Sequence, residues 1–227
     1  MRDATKRSQA VDENGWCRER ESNPQESSDP VDFESTASAR SAIPAGCGSI
    51  RRRRVCPSCG APVQQRIPPG DHLPRSVCTA CGTVHYRNPK LIAGCIPEHE
   101  GRILLCRRAI EPRRGYWTIP AGFMEVGETL QQAAARECME EALAEVAVGG
   151  PCAIVHVLHA EQVHVMFRAT LTQPRFGVGP ESLETVLCQV HEIPWPEMAF
   201  RSVGFALERW LDDRAVGREG LHFHTIE

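Results

Sequence analysis

Three glutamates in the middle of the chain have the spacing needed to hold a divalent metal ion. Glu137, Glu140 and Glu141 lie in a segment rich in Ala, Gln and Glu, residue types that favour a helix. At positions i, i+3 and i+4 the three carboxylates share one helix face, where each like-charge pair destabilises an isolated helix by about 0.2–0.5 kcal/mol. A hard cation such as Mg²⁺ takes oxygen ligands and removes that repulsion. The pattern predicts a site for Mg²⁺ (or Mn²⁺).

Three further residues stand at fixed distances from these glutamates. Gly122 allows the backbone to pass close to a bound ion before the helix begins, and Arg136 can pair with Glu128, eight positions earlier. Such a pair would tie the preceding loop to the helix. The alternative is an exposed acidic helix face with a chance Arg–Glu pair, and the fixed spacing argues against it.

Two Cys-x2-Cys pairs predict a second metal site of a different kind. Each pair is followed by glycine, and 18 residues separate the two pairs. Four thiolates complete a closed tetrahedral zinc shell, which serves folding and leaves no position for a reacting group. A redox pair is the weaker alternative, because two pairs within 26 residues exceed what redox chemistry needs. The predicted zinc ligands are Cys56, Cys59, Cys78 and Cys81.

The elements that must position these residues follow from periodicity and turn signals. Short strands are predicted at 91–96, 103–106, 117–119, 155–158, 163–171 and 184–190. Helices are predicted at 129–144 and 197–212, with Pro196 in the first turn of the second. This order favours an α/β fold with a mixed sheet between helices.

Composition excludes several classes of protein. The 227 residues are 41% hydrophobic and carry a net charge of −3, so nucleic-acid binding is not expected, and the basic run 51–54 is interpreted as a solvated tip. No apolar run could span a bilayer and no signal peptide is evident, so we expect a cytoplasmic protein without a membrane partner. His156, His159 and His164 are expected to face solvent. Small core residues are expected at Cys95, Cys106, Cys138, Cys152 and Cys188.

The residues from Gly122 to Glu141 resemble the Nudix box, Gly-x5-Glu-x7-Arg-Glu-apolar-x-Glu-Glu-x-Gly-apolar. The one departure is Leu143, which stands where the box has its final glycine, a residue that normally ends the helix in a left-handed conformation. We expect an altered helix exit, with the helix extended toward residues 149–150. The paired cysteines, followed by His-Tyr-Arg-Asn-Pro-Lys at 85–90, are similar to Nudix hydrolases that carry a zinc ribbon.

The resemblance implies a Nudix α/β/α sandwich behind a four-cysteine ribbon. It also implies attack of water on a phosphorus of a substrate built as a nucleoside diphosphate linked to another moiety. In that family Glu137 and Glu141 match the principal magnesium ligands, Glu140 matches a third, and Glu128 matches the structural glutamate of the box. Homodimers are frequent among such proteins, so a homodimer is a candidate assembly, but the sequence does not determine the oligomeric state.

Other site residues are expected from the same resemblance. An acidic residue on a later loop often assists catalysis, and Glu181 and Glu184 are the candidates, with Glu184 taken as the catalytic one. Tyr116 and Trp117 could stack a nucleobase, although a core position is an equally good interpretation of Trp117. Glu125 is assigned to substrate binding with them.

The expected organisation has four parts. Residues 1–54 form a disordered extension or a wrongly assigned start, 55–89 a zinc ribbon, 90–213 the Nudix hydrolase domain, and 214–227 a C-terminal tail. The first part is poor in periodic apolar residues, and residues 15–24 resemble the peptide obtained when a transfer-RNA gene is translated.

The expected substrate is FAD or ADP-ribose. NADH diphosphatases carry a Ser-Gln-Pro-Trp-Pro-Phe-Pro-x-Ser signature shortly after the box, and residues 153–168 contain no such run. An NADH diphosphatase is the enzyme alternative. A nucleic-acid-binding module that has lost catalysis is the alternative from another class, and the intact glutamates argue against it.

Overall fold

The structure of the protein is a computed structural model, and it describes residues 54–227. The first element of this part of the chain is a three-stranded antiparallel sheet. Its strands are β1 (Val63–Arg66), β2 (Arg75–Cys78) and β3 (Val84–His85). The first cysteine pair precedes β1, and the second lies at the turn from β2 to β3. Gly60 and Gly82, which follow the two pairs, have positive φ values of 71° and 72° that favour glycine. The extension expected before residue 55 lies outside the described residues apart from Arg54.

A mixed eight-stranded sheet forms the centre of the remaining chain. Six strands are hydrogen-bonded in the order β10-β5-β4-β9-β8-β11, with β6 on β5 and β7 on β4. The β4–β9 and β11–β8 pairs are parallel, and the other pairs are antiparallel. The strands are β4 (Lys90–His99), β5 (Arg102–Arg108), β6 (Trp117–Thr118), β7 (Ala121–Phe123), β8 (Val146–Val157), β9 (Gln162–Leu171), β10 (Ser182–Gln189) and β11 (His222–Ile226).

Two helices cover the two faces of this sheet. One face packs Cys95, Leu104 and Phe167 against the buried side of α1 (Leu130–Ala142). The other packs Ile96, Leu105 and Met166 against α2 (Arg201–Ala215). Along β9 the side chains alternate between these two cores, as the pleat of a strand requires. The α/β/α sandwich with a mixed sheet, preceded by a four-cysteine unit, is therefore confirmed. The five cysteines expected in the core are all buried.

The helix α1 begins as expected but ends differently. The Thr129 side chain caps the first turn by accepting a hydrogen bond from the backbone N–H of Gln132, and the Thr129 N–H donates a bond to the side-chain oxygen of Gln132. The expected extension toward residues 149–150 is wrong, because the helix ends at Ala142. Leu143 adopts the left-handed conformation itself (φ 48°, ψ 35°), at a cost of about 1–2 kcal/mol for a residue with a Cβ.

The C-terminal segment departs from two expectations. Pro196 lies in a short 3₁₀ turn (Trp195–Glu197), and α2 begins only at Arg201, because Ala199 donates a hydrogen bond to the Trp117 carbonyl and holds the intervening residues beside β6. The tail expected at 214–227 contains β11, which pairs in parallel with β8. No helix within residues 54–227 is long and apolar enough to cross a membrane.

The hairpin of β8 and β9 also corrects the sequence interpretation. The strand β8 starts nine residues earlier than the predicted 155, because irregularities around Pro151 interrupt its alternation without ending it. His156 and His159 are exposed, as predicted. His164 is only 7% exposed, because its position on β9 faces the core beneath α2.

Candidate metal and catalytic site

Arg136 on α1 holds the loop before the helix. Its guanidinium makes two hydrogen bonds to the Glu128 carboxylate, from Nε at 3.0 Å and from Nη2 at 2.8 Å. These bonds lower the pKa of Glu128 to about 2. Glu128 also accepts a bond from the Glu125 N–H at 2.7 Å, and Arg136 donates another to the Phe123 carbonyl at 3.0 Å. The pairing of Arg136 with Glu128 therefore fixes the turn between β7 and α1, as the spacing predicted.

The two carboxylates predicted as principal metal ligands lie together beside β7. Glu137 and Glu141 are 9% and 5% exposed, one helical turn apart on α1. Glu141 accepts a hydrogen bond from the Ala121 N–H at 3.3 Å. A Cβ added to Gly122 would come within 2.3 Å of the Glu137 carboxylate, so the glycine leaves the space that this carboxylate occupies.

The electrostatics of this pair fit a cation. Burial, and then repulsion from Glu137, raises the pKa of Glu141 to about 8. Burial also raises the pKa of Glu137. The hydrogen bond and charge of Arg136 lower this pKa, while the negative charges of Glu140 and Glu181 raise it further. Buried carboxylates that repel one another are stabilised in their charged form by a divalent cation, and hard oxygen ligands suit one.

Glu140 lies on the outer side of the same helix face. It is exposed and accepts a hydrogen bond from Arg136 Nη1 at 2.9 Å, while the same nitrogen donates to Glu137 at 2.7 Å. The guanidinium of Arg136 therefore contacts Glu128, Glu137 and Glu140 at once. This contact brings together four of the acidic and basic residues predicted from the box.

The two acidic candidates of the later loop differ in their surroundings. Glu184 lies 3.5 Å from Arg107 Nη1, in an exposed ion pair on β10. Glu181 immediately precedes β10, and its charge contributes to the raised pKa of both Glu137 and Glu141. Its carbonyl accepts a bond from the Ala109 N–H at 2.8 Å. Glu181 therefore contributes negative charge to the surroundings of the box glutamates.

The residues predicted to contact substrate are spread along the segment before the helix. Tyr116 is 38% exposed, and the Arg113 guanidinium lies 5.4 Å from its ring centroid. Trp117 is half-buried against the core beneath α2, with Arg107 6.0 Å from its ring. Glu125 is exposed. Tyr116 and Glu125 therefore have accessible side chains, while most of Trp117 serves packing.

Two residues outside the predicted set help to build the site. The Ala121 N–H binds Glu141, and Gly94 on β4 makes room for Ala121, because a Cβ on Gly94 would lie 2.4 Å from that of Ala121. The close approach of β7 to β4 depends on this glycine. A lone glycine within a predicted strand was the available signal, since it often marks a close approach of two backbones.

The four cysteine sulfurs of the ribbon converge. All lie within 4.8 Å of one another, with Sγ···Sγ distances of 3.8 Å (Cys56–Cys81), 3.4 Å (Cys59–Cys78) and 3.6 Å (Cys59–Cys81). A zinc ion with four sulfur ligands at about 2.3 Å has sulfurs about 3.8 Å apart. The sulfur positions therefore fit a tetrahedral zinc site.

Comparison with known families identifies the class of this protein. Residues 89–207, just over half of the chain, match the NUDIX domain family model, and residues 54–87 match the Nudix N-terminal zinc-ribbon model. The chain therefore belongs to the Nudix hydrolase family. A crystal structure of a NUDIX hydrolase from Nitrosomonas europaea is similar over 77% of this chain and 99% of that one, with 49% identity and a TM-score of 0.74.

Curated relatives match over a shorter stretch. The NAD-capped RNA hydrolase NudC of Salmonella typhi is 40% identical over 94 residues, which is 40% of this chain and 34% of that protein. The NAD-capped RNA hydrolase NudC of Edwardsiella ictaluri is 40% identical over 100 residues, or 43% of this chain and 36% of that protein. The chain thus matches about a third of the length of these relatives.

Proposed function

We propose that this protein hydrolyses the diphosphate of a nucleoside diphosphate linked to another moiety, with a divalent cation, Mg²⁺, held by Glu137 and Glu141. The observation that carries the proposal is the pair of buried, mutually repelling carboxylates beside Gly122, in a chain of the Nudix family. A bound cation would neutralise diphosphate charge and act as a Lewis acid at phosphorus.

The residues of the chain have separate tasks in this proposal. Glu140, which is exposed beside the buried pair, is the third ligand. Arg136 and Glu128 hold the loop and helix in register, so that Ala121 and Glu141 face the same space. Tyr116 lies before the box with an exposed ring and is proposed to stack on the substrate base. Glu125 is proposed to contact the sugar or phosphate from the turn after β7.

Glu181 is proposed as the group that accepts the proton of the attacking water. The support for Glu181 over Glu184 is the electrostatic effect of Glu181 on the box glutamates, together with the ion pair that Glu184 makes elsewhere. Glu181 acts on both box glutamates, whereas Glu184 is paired with Arg107. A general base must lie within hydrogen-bond reach of the proton that it accepts, and the ion pair directs the Glu184 carboxylate toward Arg107 instead.

Among substrates, a dinucleotide of the NAD type is the first candidate. The relatives named NAD-capped RNA hydrolases share 40% identity with this chain over 94–100 residues, which supports NADH, NAD⁺ or an NAD-capped RNA end over FAD. The preference for FAD or ADP-ribose rested on the missing signature at 153–168, a stretch that forms the hairpin of β8 and β9. The comparisons therefore favour an NADH diphosphatase, which is the enzyme alternative in the sequence analysis.

Side-by-side kinetics test this proposal. The purified full-length chain is incubated with Mg²⁺ and, in parallel, with NADH, FAD, ADP-ribose and an NAD-capped oligoribonucleotide, and the products are separated by chromatography. We expect two monophosphate products from NADH and the highest kcat/KM for an NAD-type substrate. A higher kcat/KM for FAD or ADP-ribose would contradict the substrate class, and no hydrolysis of any of the four would contradict the reaction.

A further inference from the structure

The residue that ends α1 contacts the loop that follows β9. Leu143 stands in the left-handed conformation at the box position usually held by glycine, and its side chain is half exposed. A Cβ added to Gly177 would lie 3.1 Å from Leu143 Cδ1, so the leucine side chain packs against the Gly177 backbone. A glycine at position 143 would lack this contact.

The same loop satisfies the last carbonyls of α1. The Gly177 N–H donates to the Ala142 carbonyl at 2.7 Å, and the Gly179 N–H donates to the Glu141 carbonyl at 3.1 Å. The Ser182 hydroxyl donates to that Glu141 carbonyl at 2.7 Å. These carbonyls have no partner within the helix, so the loop completes the end of α1.

Glycine at position 179 permits this close approach. A Cβ on Gly179 would lie 1.8 Å from the Glu140 carbonyl oxygen, far closer than a carbon and an oxygen that are not bonded to each other can come. The loop backbone thus lies directly on the turn of α1 that carries Glu140 and Glu141.

Glu181 lies between two anchored positions of this loop. The Ser182 N–H donates to the Gly179 carbonyl at 3.0 Å, which closes a tight turn around Glu181. The turn is bonded on one side to α1 and on the other, through Ala109, to the end of β5. The position of Glu181 relative to the box glutamates therefore depends on how firmly residues 177–182 hold to the end of α1.

We infer that Leu143 is a positioning residue for Glu181: its side chain, packed on Gly177, holds residues 177–182 against the end of α1. The catalytic role of Glu181 in this inference rests on the proposed function. The contact between Leu143 and Gly177 does not depend on it. The contact with Gly177 offsets the strain of a leucine in the left-handed conformation. A glycine at position 143 would adopt this conformation without strain but would make no such contact. The alternative is that Leu143 is a strained substitution with no effect on the site.

Two variants of Leu143 separate these possibilities. Leu143→Gly relieves the strain and removes the anchor, whereas Leu143→Met keeps an apolar side chain of similar reach. We expect the thermal unfolding midpoint of Leu143→Gly to be equal to or above that of the wild type. Its kcat for the preferred substrate should fall about tenfold with KM unchanged, because small misplacements of a catalytic group cost rate. Leu143→Met should retain wild-type kcat.

A second background tests the link to Glu181. In a Glu181→Gln protein, measured in single turnover with enzyme in excess, Leu143→Gly should cause no additional loss, because residues that act as one unit are not additive. An equal loss in both backgrounds would show that Leu143 acts without Glu181 and would overturn the inference. Unchanged kcat in Leu143→Gly would overturn it as well.

Hydrogen exchange measures the anchor independently of activity. In Leu143→Gly the amides of Gly177 and Gly179 should exchange at least about tenfold faster than in the wild type, while the amide of Cys138 within α1 stays protected. Unchanged exchange at both glycines would overturn the inference even in an active enzyme. Faster exchange in a protein that hydrolyses no tested nucleotide would support the anchor and contradict only the proposed function.

Discussion

The carboxylate of Glu137 lies directly against the Cα of Gly122. A Cβ at position 122 would come within 2.3 Å of the carboxyl carbon and of both carboxylate oxygens. Glycine is therefore required at position 122 because any side chain there would occupy the space of the Glu137 carboxylate. Its φ is not among the positive values of the described residues, so the backbone conformation is not the reason for glycine. This contact joins β7 to α1 at the centre of the proposed metal site.

Gly122→Ala is predicted to displace the Glu137 carboxylate and to lower kcat at least about 100-fold, on the order of 3 kcal/mol of barrier. The reason is that a buried carboxylate cannot share its space with a methyl group. Enzyme kinetics at saturating Mg²⁺ and thermal unfolding would be measured together. Gly150→Ala is the matched control, since a Cβ there meets nothing within 4 Å, and it should leave kcat unchanged. Wild-type activity in Gly122→Ala would show that the contact does not matter.

The ribbon is predicted to hold one zinc ion per chain. Metal analysis of protein purified without chelator should give one zinc, and Cys78→Ser should lose it together with the fold of β1 to β3, because a four-thiolate site contributes folding energy. Cys188→Ala removes a buried thiol outside the cluster and should keep its zinc. Protein that contains no zinc, or a Cys78→Ser variant that keeps it, would refute the assignment.

His164 is predicted to make stability depend on pH in the acidic range. Burial lowers the pKa of His164 to about 4, and its Nδ1 is buried without a hydrogen-bond partner. Since the ordinary value is about 6.5, the unfolded chain takes up the proton first. The stability contributed by the neutral ring is present above pH 6.5 and is lost as pH falls toward 4, by up to about 3 kcal/mol.

Denaturant unfolding at several pH values checks this dependence. A leucine at position 164 cannot take up a proton. The unfolding free energy of His164→Leu should therefore fall less between pH 6.5 and 4 than that of the wild type. The exposed His156→Gln should retain the wild-type slope. If His164→Leu and the wild type lost stability equally over that range, the buried neutral histidine would not be its source.

Much of the fold and of the site could be predicted from local sequence. The Glu128–Arg136 pair, the shared face of Glu137 and Glu141, and the four-cysteine cluster each follow from spacing within one element or one turn. Spacing of this kind survives in the folded protein because helix and turn geometry fix it. The two-sided packing of the sheet also followed from the order of strands and helices.

What the sequence could not provide depends on contacts between distant segments. The end of α1 is set by residues 177–182, more than 30 positions after Leu143, and a local rule about glycine predicted the wrong exit. The burial of His164 and the docking of residues 222–226 on β8 likewise depend on the packing of α2 and the C-terminal segment. No periodic pattern within those segments contains that information.

The most direct test of the central proposal is the turnover of Glu141→Gln at saturating Mg²⁺, with the substrate that the wild-type protein cleaves best. Glu141→Gln keeps the volume of the side chain and removes a charge from the proposed cation site, so kcat should fall at least about 100-fold, on the order of 3 kcal/mol of barrier. The unfolding midpoint should not fall. Glu145→Gln, an exposed glutamate just beyond the end of α1, should behave as the wild type. Wild-type-like turnover in Glu141→Gln would contradict the assignment of the metal and catalytic site.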